Sequence, residues 1–146
     1  MFKFSLEAVL KQRRIREEQA ARLLVEASRA LSEARQTHER LRQILLEVES
    51  DNRRLLEQGL PIAEMELRRL REVKLLREIE KARKAVSERR REREEAERQL
   101  LARIKDRRLL EQVRERHYQA YIAERERSER LALDEIAIIR AARSTS

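Results

Sequence analysis

Residues 55–66 read LLEQGLPIAEME and hold the only glycine and the only proline of a 146-residue chain, Gly59 and Pro61. Glycine just past a helix end adopts the left-handed backbone of a helix stop without steric cost. Proline at the first position of a new helix has no amide hydrogen to lose. Glu64 and Glu66 behind it put carboxylates in a first turn, where the helix dipole favours negative charge. The stretch spells helix, tight turn, helix. No other breaker occurs on either side. The expectation is a single elongated all-α domain over residues 1–146, an antiparallel coiled-coil hairpin with a first helix at about 4–57, a turn at 58–61 and a longer second helix at about 62–143.

Upstream of the turn, positions 20, 24, 27, 31, 34, 38, 41, 45, 48, 52 and 55 advance in alternating steps of four and three. They read Ala, Leu, Ala, Leu, Ala, His, Leu, Leu, Val, Asn and Leu. Nine of the eleven are apolar, which is the 3.5-residue period of a coiled-coil seam, and the same phase runs back to Leu10 and Leu6 through Arg13 and Glu17. Asn52 reads as a polar seam residue that fixes register. His38 reads the same way rather than as a metal ligand, because a zinc site needs three or four ligands and the only other histidine, His117, falls far from it in a hairpin. No metal and no cofactor is expected.

Downstream, Leu67, Leu70, Val73, Leu76, Ile79, Ala82 and Val86 form one apolar group, and Leu100, Ile104, Leu110, Val113 and Tyr121 another. Between them SERRREREEAERQ, residues 87–99, has Ala96 as its only apolar side chain, so packing should be loosest there. A turn centred on residue 60 sets residue i opposite roughly 120 minus i. Phe2 and Phe4 then face residues 116–118, and the four aromatics, Phe2, Phe4, Tyr118 and Tyr121, gather at one end. Beyond them, residues 122–146 have no facing segment, an overhang of about 35 Å at 1.5 Å per residue. It carries Ile122, Leu131, Leu133, Ile136, Ile138 and Ile139, which asks for a partner to cover them.

Composition narrows the function. With 44% charged and 3% aromatic residues the chain cannot enclose a large round core, and a two-helix hairpin has no pocket that excludes water, so no enzyme is expected. Disorder shares the high charge but not the helix-forming Glu, Arg, Leu and Ala, nor the seam. The absence of cysteine removes disulfides and thiolate chemistry. No stretch approaches a membrane span or the apolar segment of a signal peptide, which predicts a cytoplasmic protein. The net charge of +8 is the balance of 36 basic and 28 acidic groups. The excess sits between residues 61 and 116, where 19 bases meet 13 acids. Interspersed signs read as a solvated helical face with pairs such as Glu18 with Arg22 and Glu49 with Arg53. Glu88, Glu92, Glu94 and Glu95 among the arginines argue against a phosphate-tracking stripe, so no nucleic acid is expected.

The opening FKFSLEAVL of residues 2–10, followed by Arg14, Glu17-Glu18 and Ala20-Ala21, resembles the N-terminus of the FliJ family of flagellar export proteins. Arg127, Glu129, Asp134-Glu135, Ala137 and Arg140 are similar to that family's C-terminal signature, with Arg130-Leu131 standing where the family pattern has Gln-Lys. The resemblance implies a non-enzymatic stalk of the flagellar type III export apparatus, similar in form to the coiled coil of the rotary ATPase γ subunit. It implies the hexameric export ATPase FliI, the export gate FlhA and export chaperones as partners. The location would be cytoplasmic and peripheral at the inner membrane, with membrane contact only through the apparatus. Taken with the clustered aromatics and the overhang, it nominates Phe2, Phe4, Tyr118, Tyr121, Arg127, Leu131, Asp134, Glu135, Ile138 and Arg140 for the ATPase. Leu75, Ile79, Ala82 and Val86 are nominated for the gate. The alternatives are the equivalent stalk of a virulence secretion system, or a general coiled-coil scaffold or nucleic-acid binder.

Overall fold

The computed structural model describes residues 1–145. Two helices make up the fold, α1 (Glu7–Gln58) of 52 residues and α2 (Ile62–Ser144) of 83 residues, and they pack against each other as an all-α hairpin. No strand occurs among the described residues. Gly59 stops α1 with φ at 81°, and its amide donates back to the Leu56 carbonyl at 3.2 Å. Open space surrounds the position where a Cβ would stand, so the demand for glycine comes from the backbone conformation alone. The Pro61 carbonyl accepts from the Met65 amide at 3.2 Å, which makes Pro61 the residue immediately before α2 rather than its first member. At the far end of α2, the Ser144 and Thr145 hydroxyls donate to the Ala141 and Ala142 carbonyls and satisfy acceptors that a helix end leaves open.

The chain divides into two compact units, each built from a piece of both helices: Gln19–Leu101, which contains the turn, and Met1–Glu18 with Ala102–Ser146. In the unit that contains the turn, all eleven seam positions of α1 are buried or half-buried, with Ala20 and Leu31 at 7% and 4% exposure. The α2 side differs from the sequence reading. Leu67, Leu70, Val73 and Leu76 point outward, and the inward positions are Arg68, Glu72, Leu75, Ile79, Ala82 and Val86. The geometric reason is simple. An apolar run spaced every three residues slips about 60° around a helix at each step, so it cannot stay on one face, whereas alternating steps of four and three can.

Asn52 anchors this phase. Its amide nitrogen donates to Glu72, and its amide oxygen accepts from Arg68 Nη1 at 3.2 Å. Partner numbers sum to 124 and 120, in keeping with a turn centred near residue 60. Two half-buried charged side chains thus occupy seam positions because a polar seam residue on α1 receives them. Asn52→Ala removes both hydrogen bonds, and a loss of about 1–3 kcal/mol is expected at roughly 0.5–1.5 kcal/mol per bond. Urea unfolding measures it. A double-mutant cycle with Arg68→Ala that shows full additivity would rule out the coupling.

Further along, Arg93 Nε donates to Ser28 Oγ at 3.1 Å within the charged 87–99 stretch, and Ala96 beside it is half-buried. Most ion pairs run along the helices three or four residues apart, as in Glu80 with Arg83 at 2.6 Å and Glu95 with Arg98 at 2.7 Å. The Arg83 hydrogen bond holds the Glu80 carboxyl below its usual range, and those of Gln99 and Arg98 do the same for Glu95. The pairs expected between Glu18 and Arg22 and between Glu49 and Arg53 do not close.

Candidate functional site

The other unit has its own small core. Leu10 is fully buried, Phe4 and Leu110 are 7% and 6% exposed, and Phe2 and Val113 pack against these three. Around it, α1 and α2 exchange polar contacts that no single-helix pattern reveals. Arg107 donates to Glu17 and, at 2.8 Å, to Glu111, which also pairs with Arg14 at 3.4 Å. Arg13 Nη1 donates to the Asp106 carbonyl at 2.8 Å. Arg13 and Glu17, the two polar residues where the seam of α1 runs back from Ala20 to Leu10, therefore have partners. The Glu17 hydrogen bond is the main cause that raises the Arg107 guanidinium above its ordinary value, against a smaller opposing effect of burial. Partner numbers here sum to between 119, for Arg13 with Asp106, and 125, for Arg14 with Glu111.

The aromatics meet as the facing rule requires. Phe2 sits edge-on to Tyr118 at 5.2 Å and tilted against Tyr121 at 5.5 Å. Phe4, deeper in, meets the edge of His117 at 5.4 Å. Arg114 lies over the Phe2 ring at 5.7 Å and binds Glu7 at 3.0 Å, which fastens the segment before α1 to α2. His117 lies in the 116–118 segment expected to face Phe2 and Phe4, whereas Arg114 was missed in the sequence, although the same facing rule places it opposite Glu7. Phe2 and Tyr121 are half-buried and Tyr118 is exposed, so the ring cluster closes the small core while leaving edges to solvent.

From residue 123 to residue 145 every side chain is exposed. Arg127, Leu131, Asp134, Glu135, Ile138 and Arg140 all lie on this bare stretch of α2, with ion pairs along the helix between Arg125 and Glu129 and between Glu126 and Arg130. Its apolar side chains do not form one stripe. At 100° per residue, Leu131 and Ile138 share a side, Leu133 lies about 200° round from Leu131, and Ile136 and Ile139 fall between. Exposures of 47–68% for these five leave each of them open. A soluble helix docked along one face needs apolar residues on that face only. A helix whose large apolar residues spread over about 220°, as these do, is matched to surroundings on more than one side.

The remaining candidates, Leu75, Ile79, Ala82 and Val86, belong to the unit with the turn. They lie in the same four-and-three series as the residues that bind Asn52, and Leu75 is only 9% exposed. They are seam residues first. Among the described residues no group of three or more His, Cys, Asp or Glu is placed to hold a metal ion, and no helix is long and apolar enough to cross a membrane.

Two long helices that pack as a hairpin, with an aromatic cluster beside a small core and a bare helical stretch beyond it, define the class as an all-α coiled coil. The chain belongs to the FliJ family: the family model described as flagellar FliJ protein matches residues 2–146. That family supplies the stalk of the flagellar protein export apparatus. Comparisons with curated proteins and with solved structures returned no match.

Proposed function

We propose that this protein couples the hexameric export ATPase FliI to the export gate FlhA and assists export chaperones, working in the cytoplasm against the inner face of the inner membrane. The ATPase takes the end formed by Phe2, Phe4, Tyr118, Tyr121 and the stretch with Arg127, Leu131, Asp134, Glu135, Ile138 and Arg140. The observation that carries this reading is the bare helix whose five large apolar residues spread over an arc of about 220°, wider than a single docking face, since a ring surrounds what enters it. The aromatic cluster fixes where the bare stretch begins. Contacts that differ between alternative ring states would let the inserted helix bias the ring toward one of them.

The gate contact runs over α2 around Leu75, Ile79, Ala82 and Val86. Their packing toward α1 means that a polar substitution there acts on hairpin stability as well as on any partner, so gate binding is to be compared at equal folded fraction. Co-purification of the tagged chain from its own cells tests the whole reading. Recovery of a hexameric ATPase is expected, and recovery of nucleic acid with no ATPase, in a manner that falls steeply with salt, would overturn it.

A further inference from the structure

Residues 68–91 of α2 carry eleven basic side chains, Arg68, Arg69, Arg71, Lys74, Arg77, Lys81, Arg83, Lys84, Arg89, Arg90 and Arg91, against four acids, Glu72, Glu78, Glu80 and Glu88, which leaves seven of the chain's net eight positive charges. They are not scattered evenly. Positions 67, 70, 74, 77, 81 and 84 advance in steps of three and four on the side of α2 away from the seam, and they read Leu, Leu, Lys, Arg, Lys, Lys. All six are exposed, Leu67 and Leu70 at 67% and 65%. None of the four bases is in a salt bridge among the described residues. Glu80 flanks the stripe, but Arg83 holds it through hydrogen bonds of 2.9 and 2.6 Å. Glu78 lies on the other flank, and Glu88 closes the basic run. Ile62 at 77% and Leu56 at 50% exposure add apolar surface beside the turn at the leucine end of the stripe.

We infer that the outer face of α2 from Leu67 to Lys84 is a docking surface for an anionic phospholipid bilayer. The choice of base favours this occupant. Only six of the chain's 36 bases are lysines, and three of the six are Lys74, Lys81 and Lys84. Arginine's planar fork suits carboxylates held in fixed places on a protein, whereas lysine is a compact, strongly hydrated point charge that makes no such geometric demand. A fluid layer of lipid headgroups offers mobile anions without fixed geometry. A period of four and three keeps the stripe on one line for about 25 Å, so all four bases reach a flat surface together. Leu67 and Leu70 then enter the headgroup boundary at one end, the division of labour that interfacial helices use. The contact is independent of which proteins the chain binds.

Sedimentation of the full chain with phosphatidylcholine vesicles, with and without phosphatidylglycerol, tests the inference. Binding is expected only to the phosphatidylglycerol vesicles and is expected to weaken as salt rises. The triple variant Lys74→Gln, Lys81→Gln, Lys84→Gln should lose about 100-fold in affinity, at about fivefold per base. Leu67→Ser with Leu70→Ser should weaken binding as well. Circular dichroism should be unchanged in both, since every substituted side chain is exposed. A control triple of exposed bases on α1, Arg35→Gln, Arg40→Gln and Arg53→Gln, is expected to bind like the parent. No binding to phosphatidylglycerol vesicles at low salt overturns the inference, as does an equal loss in the control triple. Binding of the parent to polyglutamate but not to vesicles overturns it in favour of an acidic protein partner.

Discussion

Leu10→Ala is expected to lower stability by about 2–4 kcal/mol, while Val9→Ala next to it costs about 0.5 kcal/mol or less. Leu10 has no exposed surface, whereas Val9 is 43% exposed, because the turn of α1 points the two side chains in different directions. Leu10 also stands in a core with just two other buried side chains, Phe4 and Leu110, so nothing behind it compensates. Truncation removes three carbons and leaves a void. In a two-helix layer the neighbours close in more readily than in a thick core, which places the cost toward the lower part of the range for buried leucines. The loss should also reach the aromatic end, because Phe2 packs on this core and meets Tyr118 and Tyr121. Urea unfolding gives the energy, and the near-ultraviolet circular dichroism of the two tyrosines reports the cluster. Leu10→Ala and Leu110→Ala should combine with less than the sum of their separate costs, as contacting residues do. Equal effects of Leu10→Ala and Val9→Ala would refute the assignment of the core.

These residues show how much of the architecture is readable without coordinates. The seam of α1 is legible because its positions are mostly alanine and leucine, and each of the eleven is at least half-buried. The seam of α2 is not, because Arg68, Glu72, Arg93, Arg103, Arg107 and Arg114 occupy inward positions. Long charged side chains cover apolar surface with their stems while their heads find partners, and here Arg68, Glu72, Arg93, Arg107 and Arg114 each have a partner on α1. Polarity by itself gives no sign of that, so the apolar residues nearby draw attention to the wrong face. The run from Leu67 to Leu76 has a period of three, which no single face of a helix can hold. The aromatic end, by contrast, follows from one turn and one subtraction. The gate candidates are apolar, as the sequence shows, but the direction they face depends on the phase of α2, which the contacts with Asn52 set.

Removing residues 125–146 is expected to abolish ATPase binding, a loss of more than about 100-fold, and to leave the rest of the hairpin folded. The structural half of this expectation rests on exposure. No side chain from residue 123 to residue 145 is buried, and the last half-buried residues of α2 are Tyr121 and Ile122, so the cut takes nothing from the core of Phe4, Leu10 and Leu110. Surface changes of this kind shift stability by about 0.5 kcal/mol or less. The binding half depends on the proposed ring insertion, and a finer pair of variants separates insertion from attachment along one side. Leu131→Asp with Ile138→Asp changes one side of the helix, and Leu133→Asp with Ile136→Asp changes roughly the other. Buried apolar anchors at an interface are worth about 2 kcal/mol or more, so each pair should weaken binding by at least about 30-fold if the helix is surrounded. A helix docked along a single face would lose affinity in one pair and keep it in the other. Titration of the purified ATPase with both double variants decides between the two arrangements, and full binding by the truncated chain would remove the bare helix from the ATPase contact altogether.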